Sequence, residues 1–372
     1  MRTMVFGSLF EFIRNGMSVK QDKSGDGLPI SRIETIADAT VNPEKVGFAG
    51  LKLEDSKNWL LQPGDILFSH INSVEHVGKC AVYRGLPEQL VHGMNLLCFR
   101  CDPKVAIPEF VKYLIRGPAF RSKLSNFINK AVNQASVSIG NLKTISVRVP
   151  SIAEQHRIAV ILDQADALRA KRREALAQLD SLTQSIFIAM FGDPVANPRG
   201  WPQENLESFF LFRTGKLDSN AAIVNGAYPF FTCAKEDSQI DTFAFDCEAL
   251  LLAGNNATAD YSVKHYKGKF NAYQRTYVIT LKNETNSYQY AAFFLENHLL
   301  ELKRMSKGSG TKYLTLALLN QIRIPVPPVD LQREFVTRLA ALSRIRVTVK
   351  ASLFELDRLF ASLQHRAFSG EL

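Results

Sequence analysis

Two stretches of this chain carry apolar residues at helical spacing. Two others carry short apolar runs broken by turn residues. Residues 152–190 contain no proline and no glycine. Ile158, Ile161, Ala165, Leu168, Ala175, Leu179, Leu182 and Ile186 recur there at intervals of three and four, interrupted once by Arg172. That spacing predicts one long amphipathic helix, preceded by Pro150 and stopped by Gly192. Residues 329–368 repeat the pattern with Phe335, Leu339, Leu342, Ile345, Val349, Leu353, Leu356, Leu359 and Leu363, and stop before Gly370. Each predicted helix has one apolar stripe to cover. Two long matched stripes cover each other most simply as a coiled coil. The alternative is that each stripe packs only on its neighbouring domain.

The two helical stretches are copies. Residues 142–191 and 319–368 align without a gap at an offset of 177, with 13 of 50 positions identical. The identities include Ile145/Ile322, Pro150/Pro327, Gln155/Gln332, Leu179/Leu356, Asp180/Asp357 and Phe191/Phe368. A repeat of this length means one structural unit built twice. The segments before each helix match more loosely. Phe12-Ile13-Arg14-Asn15-Gly16 resembles Leu211-Phe212-Arg213-Thr214-Gly215 at an offset of 199. Residues 98–115 resemble 278–295 at an offset of 180, each reading as strand, turn and short amphipathic helix. The falling offset places loops of different length on a shared frame, and recognition usually sits in such loops. The expected class is α+β: two α/β domains, 1–150 and 194–327, separated by helical segments 151–193 and 328–372. Antiparallel pairing of the helices is expected, which gives the repeat an approximate two-fold relation.

Composition narrows the partners. The chain has 372 residues, 46% of them hydrophobic, enough for two or three packed domains. It has no run of 18 apolar residues, so no membrane span is expected. The opening MRTMVFGSLFEFIRNGM places Glu11 inside its apolar stretch, so it reads as the start of a domain, not a signal peptide. Five cysteines, an odd and sparse set, fit a reducing cytoplasm. Cys98 and Cys101 form one C-x-x-C without the second pair that a zinc site needs, so they read as small core residues on a strand. The formal net charge is +9, and residues 1–150 hold the largest share, with 19 Lys/Arg against 13 Asp/Glu. A basic balance is the footprint of a polyanion partner.

Catalytic signatures are missing. The chain has no phosphate-binding G-x-x-x-x-G-K-[ST], no G-x-S-x-G and no H-E-x-x-H. It lacks the Asn-Pro-Pro-aromatic tetrapeptide of amino-methyltransferases, and Phe48-Ala49-Gly50 alone does not make a cofactor loop. Asp65 after Pro63-Gly64 lacks the acidic and lysine partners of a nuclease site and reads as a turn residue before a strand. No metal or cofactor is expected. A chain of this kind binds and positions rather than catalyses.

Four strings point to one family. GDILFSHINSVEHVGKCAVYRG (64–85), FGDPVANPRGWP (191–202), IPVPPVDLQREF (324–335) and AFSGEL (367–372) resemble the specificity subunit of Type I restriction-modification systems. The resemblance spans essentially the whole chain. It implies two target-recognition domains, each reading one half of a split site in double-stranded DNA. It implies that the two helices act as spacer and docking site for two methyltransferase subunits, with restriction subunits joining that core. It also implies a cytoplasmic, non-catalytic subunit. One departure stands out: Lys307-Gly308-Ser309-Gly310-Thr311 is the family's glycine-rich turn, whereas the first copy has Val132-Asn133-Gln134-Ala135-Ser136. The competing readings are a stand-alone methyltransferase or nuclease, and a structural or regulatory DNA-binding protein acting without methyltransferase subunits.

DNA recognition needs cations for phosphates and amides or hydroxyls for base edges. In the first domain the candidates are Ser69, His70, Asn72, Ser73 and Lys79. In the second they are Asn255 and Asn256, the basic run Lys264, Lys267 and Lys269, then Arg275, Lys307 and Lys312. Lys171, Arg172 and Arg173 form a further basic cluster on the first helix, facing solvent, DNA or a partner subunit.

Overall fold

The computed structural model describes residues 1–131, 134–256, 261–306 and 312–372. The central helix runs Ile152–Phe191 and the C-terminal helix Val329–Ser369. The glycine after each takes a left-handed backbone, φ +82° at Gly192 and +88° at Gly370, where a side chain is strained. The chain divides into two compact units, Met1–Arg173 with Ser352–Leu372, and Glu174–Ala351. The boundary cuts across both long helices, so each unit holds part of each.

The first unit contains β1 (Arg2–Val5), β2 (Phe10–Asn15), β3 (Ile66–Phe68), β4 (Ile71–Asn72), β5 (Cys80–Val82), β6 (Leu97–Cys101), β7 (Asn129–Ala131), β8 (Gln134–Ser136) and β9 (Ser146–Val149). Its main sheet has the order β2-β6-β3-β5 and is antiparallel throughout. β1 pairs with β9, and β4-β8-β7 form a separate small ribbon. Side chains alternate across the pleat. Ile13, Ile66, Phe68 and Phe99 face the main core, with Phe110 and Tyr113 of the Pro108–Arg116 helix and Ile158, Leu162 and Ala165 of the central helix. Leu67, Ala81 and Cys98 face a smaller core on the other side. Cys98 and Cys101 therefore serve different cores, three residues apart on one strand.

The second unit contains β10 (Gln203–Asn205), β11 (Phe210–Thr214), β12 (Tyr228–Phe231), β13 (Ser238–Ile240), β14 (Phe245–Ala253), β15 (Asn255–Asn256), β16 (Val263–Ala272), β17 (Thr276–Leu281), β18 (Lys312–Tyr313) and β19 (Arg323–Pro325). Its sheet has the order β11-β17-β14-β16-β12-β13. The first four strands repeat β2-β6-β3-β5 in order and direction. The register repeats too: Arg14 lies opposite Cys98, and Arg213 opposite Val278, as the offsets of 199 and 180 require. The pair β10–β19 matches β1–β9, and β15–β18 matches β4–β8. β12, parallel to β16, and β13 extend this sheet beyond the shared four strands.

One buried side chain ties each long helix to its own unit. Gln155 Oε1 accepts from Ile107 N (3.0 Å), and Nε2 donates to the carbonyls of Val105 (2.9 Å) and Pro150 (3.1 Å). Its repeat mate Gln332 accepts from Ser287 N (2.8 Å) and donates to Pro327 O (2.9 Å) and Asn286 Oδ1 (3.1 Å). Ile107 and Ser287 are the residues that open the Pro108–Arg116 and Tyr288–Met305 helices. Each glutamine satisfies a helix-start N–H that its neighbours leave open.

The long helices pair antiparallel within each unit. In the first, Arg169 bonds Asp357 and Arg172 Nε donates to Ser352 Oγ (3.1 Å), so the partner number falls as the first rises. In the second, Asp180 pairs with Arg346, while Phe187 and Phe191 pack on Phe335 at 5.6 and 5.3 Å. The phase of the seam differs from the expected one. Leu168, Leu182, Ile345 and Leu359 are 48%, 45%, 50% and 50% exposed. Their neighbours Arg169, Thr183, Arg346 and Phe360 turn inward instead. A strict heptad assumes 3.5 residues per turn; a straight helix has 3.6 and drifts about 20° per heptad, which carries these positions off the seam. The ends of the stripes, such as Ile158 and Ala165, pack on their own unit's core.

Candidate nucleic-acid interface

In the first unit the residues chosen from sequence sit where β3 leaves the sheet. Ile71 and Asn72 form β4, with Ile71 opposite Ser136 and Asn72 opposite Ala135 of β8. Asn72 Nδ2 donates to Ser69 Oγ (3.3 Å), and its Oδ1 accepts from Ser73 N (2.8 Å). Ser73 is exposed, with Val74, Glu75 and His76 beside it. Ser69 and His70 are buried. Burial lowers the His70 pKa from 6.5 to about 4, so it offers no charge to a phosphate at neutral pH. Both shape the loop from beneath. Lys79 is half-buried and donates to Ala37 O (3.1 Å), so it braces a neighbouring loop.

In the second unit Asn255 and Asn256 form β15, opposite Tyr313 and Lys312 of β18. The asparagines of both units thus stand at one fold position, each paired with the strand that follows residues 132–133 or 307–311. Those residues, with Lys307 and the glycine-rich turn, lie outside the described set. The Arg275 guanidinium sits 5.3 Å above the ring of Tyr313, a cation–π contact. Amide, cation and aromatic face come together here: Asn255, Arg275, Lys312 and Tyr313. Tyr313 escaped the sequence reading; its signal was an aromatic beside Lys312 just after the glycine-rich turn.

The structure does not bring the basic run together. Lys264, Lys267 and Lys269 lie on β16, inside the sheet, not on a hairpin tip. Alternation sends Lys264 to one face and Lys267 and Lys269 to the other. Lys264 Nζ donates to Asp237 Oδ1 (2.6 Å) and Ala234 O (3.0 Å). Lys267 pairs with Glu248 (3.1 Å), which also meets His265 Nε2 (2.9 Å). Lys269 Nζ lies 4.6 Å from the Phe243 ring centroid. These contacts already occupy much of the positive charge that the run shows on paper.

Other basic and acidic candidates are also accounted for. Asp65 is buried; it accepts from Arg100 Nε (2.8 Å) and Nη2 (2.7 Å) and from Gln62 N (2.8 Å). Its carboxylate closes the turn before β3. Arg173 reaches Asp357 (3.0 Å), so of the central-helix cluster both Arg172 and Arg173 contact the C-terminal helix. Among the described residues no group of three or more His, Cys, Asp or Glu could hold a metal ion. None of the described helices is long and apolar enough to cross a membrane.

Comparison with known proteins matches this duplicated architecture. The family described as Type I restriction modification DNA specificity domain matches twice, at residues 2–178 and 198–353. The chain is 27% identical over 392 residues to the putative type I restriction enzyme MjaX specificity subunit of Methanocaldococcus jannaschii, covering 98% of this chain and 92% of that one. It is 35% identical over 182 residues to the EcoDI specificity subunit of Escherichia coli, covering 47% of this chain and 39% of that one. In fold it resembles the S subunit of a Type I restriction-modification system from M. genitalium, with TM-score 0.62, 15% identity and coverage of 99% and 96%. A chain from a structure concerning complex assembly and conformational transition of the type I system aligns with TM-score 0.55 and 15% identity, covering 100% of this chain and 98% of that one.

Proposed function

Because the chain belongs to the family of Type I restriction-modification DNA specificity subunits, we propose that its two units each read one half of a bipartite duplex DNA site. The observation that carries this is the repeated frame with unlike loops: one four-strand order and register built twice, with a β4–β8 ribbon in one unit and a β15–β18 ribbon in the other. The base-reading groups in this reading are Asn72 and Ser73 in the first unit, and Asn255, Asn256, Arg275 and Lys312 in the second. Two different loop sets on one frame read two different half-sites. The test is to express the chain with its methyltransferase subunit in a host lacking methylation and sequence the modified genome. A bipartite motif with an unspecified spacer is expected; a single uninterrupted motif contradicts the reading.

The partners follow from the same repeat. One neighbour in fold belongs to work on assembly of a type I system. Here the first unit displays Leu168 and Leu359, and the second their repeat mates Ile345 and Leu182, all about half exposed. In this reading these four positions, exposed at the same place in each copy, are the contact surface offered twice to the same partner. Two methyltransferase subunits are the occupants, with restriction subunits added to that assembly in the cytoplasm. Mass measurement of the co-purified complex tests it: Leu168→Asp with Leu359→Asp should leave one bound methyltransferase subunit instead of two. An unchanged two-to-one complex places the docking surface elsewhere.

A further inference from the structure

We infer that Arg14 and Arg213 are matched contacts to the phosphodiester backbone of duplex DNA, one in each unit at the same place in the repeated sheet. The inference rests on the DNA reading above and supplies side chains for it. The two arginines are equivalent by register, opposite Cys98 on β6 and Val278 on β17. Each lies on the edge strand of the four shared strands, on the face away from the main core. A charge there needs a reason, since the residues opposite are apolar.

Both guanidinium groups are seated on aromatic rings rather than on acids. Arg14 Cζ lies 4.5 Å from the Phe12 ring centroid and 5.5 Å from that of Trp59. Arg213 Cζ lies 5.4 Å from the Phe245 ring centroid. Neither pairs with a carboxylate among the described residues, in contrast to Lys264 and Lys267. An aromatic seat fixes the planar fork. Arg213 also meets the Cys247 side chain, a weak acceptor that uses only part of a guanidinium's five N–H donors and leaves others for the oxygens of a phosphate. Arg14 is half-buried and its Nε is enclosed without a partner, so a phosphate would meet its terminal N–H groups; Arg213 is exposed.

The chain beyond each arginine is pinned. A Cβ on Gly16 would fall 2.3 Å from Gly93 O, and one on Gly215 would fall 1.7 Å from Ala272 O. Only glycine permits that close approach, so the strand end carrying each arginine is held at a fixed place. In the second unit a cavity of about 410 Å³ opens there, lined by Arg213, Thr214, Gly215, Lys216, Ala244 and Phe245. Two cations, a hydroxyl and a glycine, with no acid in the lining, suit a phosphate. An arginine fork also fits the two acceptors of a guanine edge, so comparing cognate with scrambled duplex separates a backbone contact from a base contact.

The test measures duplex binding by the complex with its methyltransferase subunits across a salt series, using cognate and scrambled sequences. Each phosphate contact adds about 0.9 to the slope of log affinity against log salt. Arg14→Gln or Arg213→Gln should therefore weaken both duplexes alike and make the loss between 50 and 200 mM salt about threefold smaller. The double variant should lower the slope by about two, and Arg→Lys at either site should keep most of it. An unchanged slope, or a loss confined to the cognate duplex, overturns the inference. Should Arg14→Gln fail to fold, the exposed Arg213 carries the test alone. A wild-type complex that bound no duplex would sink the DNA reading itself, a separate outcome.

Discussion

Arg169 Nε donates to Asp357 Oδ1 at 2.6 Å across 188 positions of chain. Its repeat mate Arg346 pairs with Asp180, the repeat mate of Asp357, also at 2.6 Å. One contact is thus made twice with the roles of the two helices exchanged. Only an antiparallel pair of duplicated helices produces that exchange, because residue i of each copy must meet residue j of the other. Arg169 is the better-seated of the two, with Asp166 at 2.7 Å and the Phe360 ring centroid at 4.2 Å.

Charge reversal should be correctable across the pair. Arg169→Asp is expected to cost the first unit about 1–2 kcal/mol, because a half-exposed ion pair is worth under about 1 kcal/mol and the ring contact goes with it. Adding Asp357→Arg should recover part of that loss. A double-mutant cycle by denaturant unfolding measures the coupling; zero coupling would mean that the contact does not form.

Gln155 and Gln332 should be among the most sensitive positions in the helices. Each is wholly buried, and its removal strands a backbone N–H and two acceptors. Leaving such groups unpaired costs about 1–3 kcal/mol apiece before relaxation. Gln155→Leu is expected to destabilise the first unit by about 3 kcal/mol, and Gln332→Leu the second by a similar amount, read as separate shifts in thermal unfolding. Surface glutamines such as Gln178, exposed, should tolerate leucine.

The first unit should weaken in acid. Burial lowers both His70 and His92 from 6.5 to about 4; at His92 the Arg14 charge adds to this while the Leu96 carbonyl opposes it. The unfolded chain therefore takes up protons first. Stability is whole above about pH 6.5 and is lost as pH falls toward 4. Each histidine accounts for on the order of 2 kcal/mol of that loss. Unfolding midpoints measured between pH 7.5 and 5 should fall for the wild type and fall less for His92→Gln. Equal slopes would show that His92 is not held neutral.

Much of this fold is legible in the residues. Gly192 and Gly370 mark both helix ends because a left-handed cap all but requires glycine, and the offsets of 199 and 180 give the register of β2 on β6 and of β11 on β17. The seam phase is not legible, because heptad counting puts Leu168 and Ile345 inward where the straight helix turns Arg169 and Arg346 there. The candidate site is less legible still. Lys264, Lys267 and Lys269 look like one patch on paper, but period-two alternation and two acids brought in from elsewhere, Asp237 just before β13 and Glu248 on β14, divide it. Ser69 and His70 read as polar loop residues, yet the β4–β8 pairing closes over them. Sequence spacing shows which groups are present; only the pairing of distant strands decides which of them face outward.

The central claim is that two independent readers stand on one duplicated frame. The most direct measurement is to replace residues 194–327 with the matching segment of a related specificity subunit and sequence the methylated motif of the host. Base contacts made by the second unit alone predict that one half of the motif changes and the other half is retained. A change in both halves would contradict two independent readers and, with it, the assignment of one half-site to each unit.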